Sequence, residues 1–170
     1  EEVAWLDLCK QVKGFGRTGG HWFGIQHWGV ESDVMTMAKG IANGLPLAAT
    51  VATPEIADSF RASTISTFGG NPISAAAANA TIDVMEEIDA PRNAAEMGAL
   101  LRDGLLALQK KYPKTIGDVR GLGLMQGLEL VVDETIGDRT PAPDKVGRLF
   151  EECRKRGLLI GKGGLYGSAV

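Results

Sequence analysis

A single lysine stands where a strand is predicted to end. In the stretch DVMTMAKGIANG, residues 33–44, an apolar run leads into Lys39, and Gly40 follows at once. The nearest acidic residues on either side are Asp33 and Glu55. Two interpretations are open: Lys39 is a solvated residue at a sheet edge, or its amine is desolvated. Burial would favour the neutral amine, which can attack an aldehyde as a nucleophile.

The stretch STFGGNP, residues 66–72, has the composition of an anion-binding turn. Ser66 and Thr67 offer hydroxyls, the glycines leave backbone N–H groups accessible, and a helix is predicted to begin at Asn71. A capped turn without a ligand would explain the same residues. An amine that captures an aldehyde and a turn that binds phosphate together suggest a phosphorylated aldehyde cofactor. Pyridoxal phosphate is the obvious candidate.

Two further motifs favour structural roles. GFGRTG, residues 14–19, matches G-x-G-x-x-G, but a nucleotide-binding fingerprint needs a strand before it and a helix after it. The preceding CKQVK is a poor strand and no helical stripe follows, so a glycine turn is favoured. His21 and His27 occur among Trp22, Phe23 and Trp28. A pocket wall is one interpretation, but no acidic partner or metal-type cluster is evident, so a packed aromatic loop is favoured.

Short apolar runs alternate with helical patterns, which predicts an α/β fold. Strands are predicted at 33–39, 45–53, 127–132 and 158–161, and helices at 53–60, 71–88, 91–111 and 143–157. Asn71 is the predicted N-cap of the second helix, with Pro72 in its first turn. The third helix could join two lobes, so a boundary is expected within residues 88–115.

Composition excludes several classes of function. The net charge of −3 provides no basic surface for nucleic acid or an anionic membrane. No apolar run is long enough to span a membrane. The two cysteines, Cys9 and Cys153, match no zinc or redox spacing, which favours a reducing compartment such as the cytoplasm, or the mitochondrion in a eukaryote.

Four stretches, GFGRTG, SDVMTMAKGIANGLPL, STFGGNP and IGDVRGLGLMQGLELV, occur in this order and at this spacing in class III aminotransferases. The chain resembles this pyridoxal-phosphate family over residues 14–167. The sequence of its motifs is most similar to the branch that contains alanine–glyoxylate and β-aminoisobutyrate–pyruvate aminotransferases. The resemblance implies part of the fold type I architecture. Residues 1–88 would be the C-terminal part of the large cofactor-binding domain, and residues 89–170 would be an incomplete small C-terminal α/β domain.

The resemblance also implies roles for individual residues. Lys39 would be the Schiff-base lysine, which holds the cofactor at rest and then moves a proton during transamination. Thr67, with Ser66 beside it, would bind the cofactor phosphate across the interface of a homodimer. The substrates would be an amino acid or amine donor and a 2-oxo acid acceptor such as pyruvate or glyoxylate. No metal, nucleic acid or membrane partner is implied.

The chain departs from the family pattern at both ends. After GGLYG, the final residues SAV stand where relatives usually begin a strand with an arginine that binds the substrate carboxylate. Where relatives have the aspartate that pairs with the pyridine nitrogen, this chain has Cys9, or Glu1 if residues 1–3 are an altered remnant of that segment. The chain starts with Glu1 rather than methionine, so we expect an internal section of a longer aminotransferase. The alternative is a non-catalytic fragment or pseudoenzyme that acts as a binding or dimerisation module. A third interpretation keeps the cofactor but changes the reaction, as in aminomutase and decarboxylase relatives.

Overall fold

The computed structural model describes residues 8–10, 14–132, 135, 137 and 139–170. The chain divides into two compact units, residues 1–95 and 96–170, and the division lies inside a long helix. The strands are β1 (Leu8–Lys10), β2 (Val34–Ala38), β3 (Ala48–Ala52), β4 (Ile116–Leu122) and β5 (Met125–Leu130). The helices are α1 (Pro54–Ser59), α2 (Pro72–Glu87), α3 (Ala90–Lys111) and α4 (Pro143–Lys155). Among these residues no helix is both long and apolar enough to cross a membrane.

The first unit contains a three-stranded mixed sheet with β2 at its centre. β1 pairs with β2 in parallel, and β3 pairs with β2 in antiparallel orientation. β2 and β3 confirm the two strands predicted at 33–39 and 45–53. The prediction of a poor strand around CKQVK was wrong at its start, because Leu8–Lys10 pairs in register with residues 34–36. The gain of backbone pairing on β2 outweighs the weak intrinsic preference of this polar segment.

Helix α2 packs against the turn that follows β2. Its N-terminus is as predicted: the Asn71 side chain accepts a hydrogen bond from the Ser74 N–H at 2.9 Å, and Pro72 follows the cap. Its buried face consists of Ser74 and Ala78, one helical turn apart. Ala78 joins Met37, Ile41 and Ala42 in the apolar core of this unit. A short side chain at position 78 therefore brings the helix close to the turn.

The second unit is built on a hairpin that the sequence did not predict. β4 and β5 pair in antiparallel orientation across residues 123–124, where Gly123 has a φ of 54°. A strand was predicted only for 127–132, because the glycines at 117, 121 and 123 are depleted in strands and favour turns. The core of this unit joins the hairpin to the start of α4 and consists of Ile116, Val119, Leu128, Leu130, Ala142 and Val146.

The predicted strand at 158–161 was wrong. No strand forms there, and Leu159 is 81% exposed. Instead the last residues of the chain lie beside β5: Leu128 N–H donates to the Val170 carbonyl at 2.8 Å, and Leu130 N–H donates to the Ser168 carbonyl at 2.8 Å. The free edge of β5 selects the segment that reaches it, and strand propensity alone does not identify that segment.

Candidate active site

Lys39 lies where β2 gives way to a single 3-10 turn, Lys39–Ala42. Ala38 is still extended, whereas Lys39 has a φ of 58° and Asn43, just after the turn, has a φ of 45°. The left-handed conformation costs an L-residue roughly 1–2 kcal/mol, and glycine or asparagine usually occupies it. A lysine held in this conformation is therefore a candidate functional residue, because such strain concentrates at functional sites.

The Lys39 side chain is exposed beside an open cavity of about 480 Å³. The cavity is lined by Lys39, Gly40, Asn43, Gly44, Leu45, Pro46 and Leu47. In the chain by itself the Lys39 side chain is thus solvated, which corresponds to the first of the two interpretations that the sequence left open. The physical reason is that only the turn and the loop immediately after it line this cavity, so no other described element excludes water from the amine.

The predicted phosphate-binding residues lie in an exposed turn that leads into α2. Ser66 and Thr67 are both exposed. The turn is closed by the Gly69 N–H, which donates to the Ser66 carbonyl at 3.2 Å, and by the Asn71 N–H, which donates to the Phe68 carbonyl at 3.3 Å. These two N–H groups are therefore engaged within the turn. The hydroxyls of Ser66 and Thr67 are the groups best placed to donate to a phosphate.

Helix α2 relates the lysine to this turn. It begins directly after Asn71, and its Ala78 packs on Ile41 and Ala42 in the turn that Lys39 opens. Within the part of the chain that the structure describes, no hydrogen bond joins Lys39 to Ser66 or Thr67. The structure thus brings their supporting elements together, while the functional groups themselves remain separately exposed.

The GFGRTG motif forms a tightly packed loop. Phe15 is buried and contacts Trp22 and Phe23, with ring centroids 5.7 and 5.9 Å apart. A 3-10 turn at Gly24–Trp28, rather than an α-helix, comes next in the chain. The motif therefore lacks the helix that a nucleotide-binding fingerprint requires.

The same loop contributes a residue that the sequence did not single out. Arg17 lies against the turn after Lys39, since a Cβ placed on Gly40 would be 3.3 Å from an Arg17 Nη atom. Glycine at position 40 therefore allows the guanidinium to approach the backbone. The buried Thr18 Oγ1 has no hydrogen-bond partner in the structure. The only signal for either residue in the sequence was the glycine motif itself.

The position expected for the pyridine-nitrogen partner falls on β1. Cys9 is half-buried and lies opposite Met35 in the parallel register with β2. Glu1, the other candidate, lies outside the described residues. A cysteine provides a thiol in place of a carboxylate, so the charge that would hold a proton on a pyridine nitrogen is absent from this position. No group of three or more histidine, cysteine, aspartate or glutamate residues suited to a metal occurs in the described ranges.

Comparison with known families decides the classification. The profile of the family Aminotransferase class-III matches residues 12–167, almost the whole chain. The chain belongs to the class III aminotransferases. A curated relative of high similarity is the mitochondrial alanine–glyoxylate aminotransferase 2 homolog 2 of Arabidopsis thaliana, which is 46% identical over 165 residues. That match covers 96% of this chain and 34% of the relative. The chain thus spans about a third of the length of the curated relatives it matches.

Solved structures support the same assignment. A phospholyase from Arthrobacter, in complex with phosphoethanolamine, superposes with a TM-score of 0.89 and 35% identity over 95% of this chain and 38% of that chain. An S-selective transaminase from Arthrobacter sp. with alanine bound gives a TM-score of 0.82 and 33% identity over 95% of this chain and 37% of that chain. The α/β architecture described above is therefore part of the fold of pyridoxal-phosphate-dependent transaminases.

Proposed function

We propose that this chain forms part of a pyridoxal-phosphate-dependent aminotransferase that moves an amino group from an amino acid or amine to a 2-oxo acid of the pyruvate or glyoxylate type. The observation that carries the proposal is Lys39, a non-glycine residue in left-handed conformation at the end of the central strand, beside an open cavity. Membership of class III and similarity to alanine–glyoxylate aminotransferases support this assignment.

The residues present fit the cofactor. The exposed Lys39 amine can bind an aldehyde carbon, and the exposed Ser66 and Thr67 hydroxyls can donate to phosphate oxygens. When bound, pyridoxal phosphate supplies an electron-withdrawing ring that stabilises negative charge on the adjacent substrate carbon. Once the substrate amine has displaced it from the aldehyde carbon, the freed Lys39 Nζ would take the proton from the substrate carbon that carries the amino group and hold it for return. Gly44 leaves open space in the wall of the cavity beside the amine.

We assign the two halves of each site to different subunits of a homodimer, so that Ser66 and Thr67 of one subunit serve Lys39 of the other. Two observations support this arrangement. No hydrogen bond of the described chain joins Lys39 to Ser66 or Thr67. The turn is also flanked by exposed apolar side chains, with Ile65 98% and Phe68 80% exposed. A second subunit packed on this segment would remove that apolar surface from water.

With Cys9 in place of a carboxylate, the ring nitrogen of the cofactor would hold its proton less tightly than beside an aspartate. An opposite charge within about 4–6 Å shifts a pKa by roughly 1–3 units. We therefore expect Cys9→Asp to raise the pH at which the bound cofactor's absorbance changes, with Cys9→Asn as the matched neutral control. Equal titration curves for the two variants would exclude position 9 as the pyridine-nitrogen partner.

Covalent labelling tests the assignment of Lys39. The chain is mixed with pyridoxal phosphate and reduced with borohydride, and labelled peptides are identified by mass spectrometry. We expect the label to concentrate on Lys39, and Lys39→Ala to remove it. Lys162→Ala is the matched control, because Lys162 is also exposed. A label spread evenly over exposed lysines would contradict the assignment.

Mixing variants tests the shared site. Lys39→Ala and Thr67→Ala are each expected to label poorly at low cofactor concentration. A heterodimer of the two contains one site with both native residues out of two, and random mixing makes about half of the dimers heterodimers, so labelling in the mixture should return to about a quarter of the native level. Absence of recovery, together with formation of the mixed dimer, would place both groups in the same subunit.

The second candidate function is a non-catalytic binding or dimerisation module. The exposure of Lys39 and the absence of a carboxylate at position 9 favour it. It predicts dimer formation with unselective labelling of lysines.

A different reaction is a further alternative, because one structural relative of similar architecture is named a phospholyase. Product analysis with alanine and glyoxylate, and then with a phosphorylated amine, distinguishes amino transfer from elimination.

The domain assignment and the compartment belong to the same proposal. We assign residues 1–88 to the large cofactor-binding domain and residues 89–170 to the small domain. The division of the chain into two compact units, residues 1–95 and 96–170, supports this assignment. We place the enzyme in the cytoplasm or, in a eukaryote, in the mitochondrion, where its Arabidopsis relative is named as residing.

A further inference from the structure

Two histidines lie together in the loop between the glycine motif and β2. The imidazole rings of His21 and His27 have centroids 4.8 Å apart and are nearly perpendicular, with an interplanar angle of 89°. His21 is exposed and His27 is half-buried in the 3-10 turn Gly24–Trp28. Neither residue has a role in the proposed aminotransferase site. The pair therefore needs an explanation of its own.

We propose that His21 and His27 form a bidentate site for a divalent transition-metal ion, with water in the remaining coordination positions. Neutral imidazole is a preferred ligand of Zn²⁺, Cu²⁺ and Ni²⁺. Gln26 lies between the two histidines in the chain, and its Oε1 already accepts a hydrogen bond from the Phe23 N–H at 2.9 Å. Within residues 21–28 the two imidazole rings are therefore the side chains best suited to bind such an ion.

The spacing of the rings suits one shared ion. A metal–nitrogen bond of about 2.1 Å places the ion roughly 3.2 Å from the ring centre. If both rings bind the same ion, the lines from the ion to the two ring centres, which are 4.8 Å apart, enclose an angle of about 100°. This angle lies between the values for square-planar or octahedral and tetrahedral coordination. The 4.8 Å spacing therefore allows both rings to reach one ion when a nitrogen of each ring faces it.

The hydrogen bonding of His27 also points to a missing ligand. Its Nε2 is buried and has no hydrogen-bond partner in the described structure. A buried polar atom without a partner is costly, and an ion bound at the pair would remove that cost if it took this nitrogen. Because the neighbouring His21 is exposed, its side chain can rotate on a picosecond-to-nanosecond timescale and open access to the second ring.

Titration with Ni²⁺ alone tests the site, because Ni²⁺ favours imidazole whereas thiolates favour Cu(I) and Zn²⁺. Calorimetry on the untagged chain is expected to show one ion per chain. His21→Ala and His27→Ala should each weaken binding at least about tenfold. Cys153→Ser, the control, should bind as the native chain does. Binding by either histidine variant with unchanged affinity would overturn the proposal.

A second measurement uses the native chain, so it does not depend on the folding of a variant. Diethyl pyrocarbonate modifies accessible imidazoles, and mass spectrometry locates the product. Ni²⁺ should reduce modification of His21 and His27 together. It should also quench Trp28, whose ring centroid is 6.0 Å from that of His27, and Trp28→Phe should remove that quenching. Modification at the same rate with and without Ni²⁺ would exclude the site.

Discussion

Helix α3 contains two glycines that should respond in opposite ways to the same substitution. A Cβ added at Gly98 would overlap the carbonyl carbon and oxygen of Gly123 and lie 2.6 Å from its Cα. A Cβ added at Gly104 would meet no atom within 4 Å. Both residues lie in the second compact unit and neither requires a positive φ. Comparing the same substitution at the two positions therefore separates the effect of helix propensity on stability from the effect of packing against the hairpin turn.

The expected magnitudes follow from these contacts. Gly104→Ala should stabilise the chain by up to about 1 kcal/mol, the difference in helix propensity. Gly98→Ala has the same gain but forces helix and hairpin apart, and overpacking against a core typically costs about 1–3 kcal/mol or more when backbone must move. Because the helix-propensity gain is common to both variants, we expect Gly98→Ala to be less stable than Gly104→Ala by the overpacking cost, about 1–3 kcal/mol.

Urea unfolding followed by circular dichroism measures the difference. Each variant should retain the unfolding slope of the native chain, with the midpoint of Gly98→Ala below it and that of Gly104→Ala at or above it. Gly98→Ser, which also adds a Cβ, should behave as Gly98→Ala does. If Gly98→Ala were as stable as Gly104→Ala, the close approach of α3 to the β4–β5 turn would be refuted.

Three further predictions concern the site and its supports. Lys39→Gly should exceed Lys39→Ala in stability by about 1 kcal/mol, because glycine adopts the left-handed backbone without strain; equal urea midpoints would argue against that conformation. Asn71→Ala should cost about 1 kcal/mol through loss of the cap, whereas Thr53→Ala, whose side chain makes no cap hydrogen bond, should be nearly neutral in the same assay. Hydrogen bonds donated by Arg156 and Lys155 lower the pKa of Glu152 to about 2. An NMR titration should therefore show its carboxyl group losing its proton well below the ordinary pKa of 4.5. Any stabilisation from this lowered pKa is present at neutral pH and is lost as the pH falls from 4.5 towards 2; because the group is exposed, we expect that loss to be small.

Local signals in the sequence determined most of the helices and the first two long strands. Asn71 with Pro72 marked the start of α2, Pro143 marked the start of α4, and Gly157, with a φ of 80°, follows the end of that helix. These signals act over a few residues, because a cap or a fixed φ changes the energy of the adjacent turn whatever lies elsewhere. The family assignment also came from the sequence, because it depends on the order of four motifs.

Tertiary structure alone decided which segments pair and which side chains are covered. Helix α2 contains a run of alanines, and the fold decides that Ala78 is the one that reaches the core. β5 pairs with Ser168–Val170 in place of the apolar residues 158–161. The exposure of Lys39 likewise depends on what surrounds its turn. Strand pairing and burial are set by contacts between residues far apart in the chain, and a local pattern records only that a segment can make them.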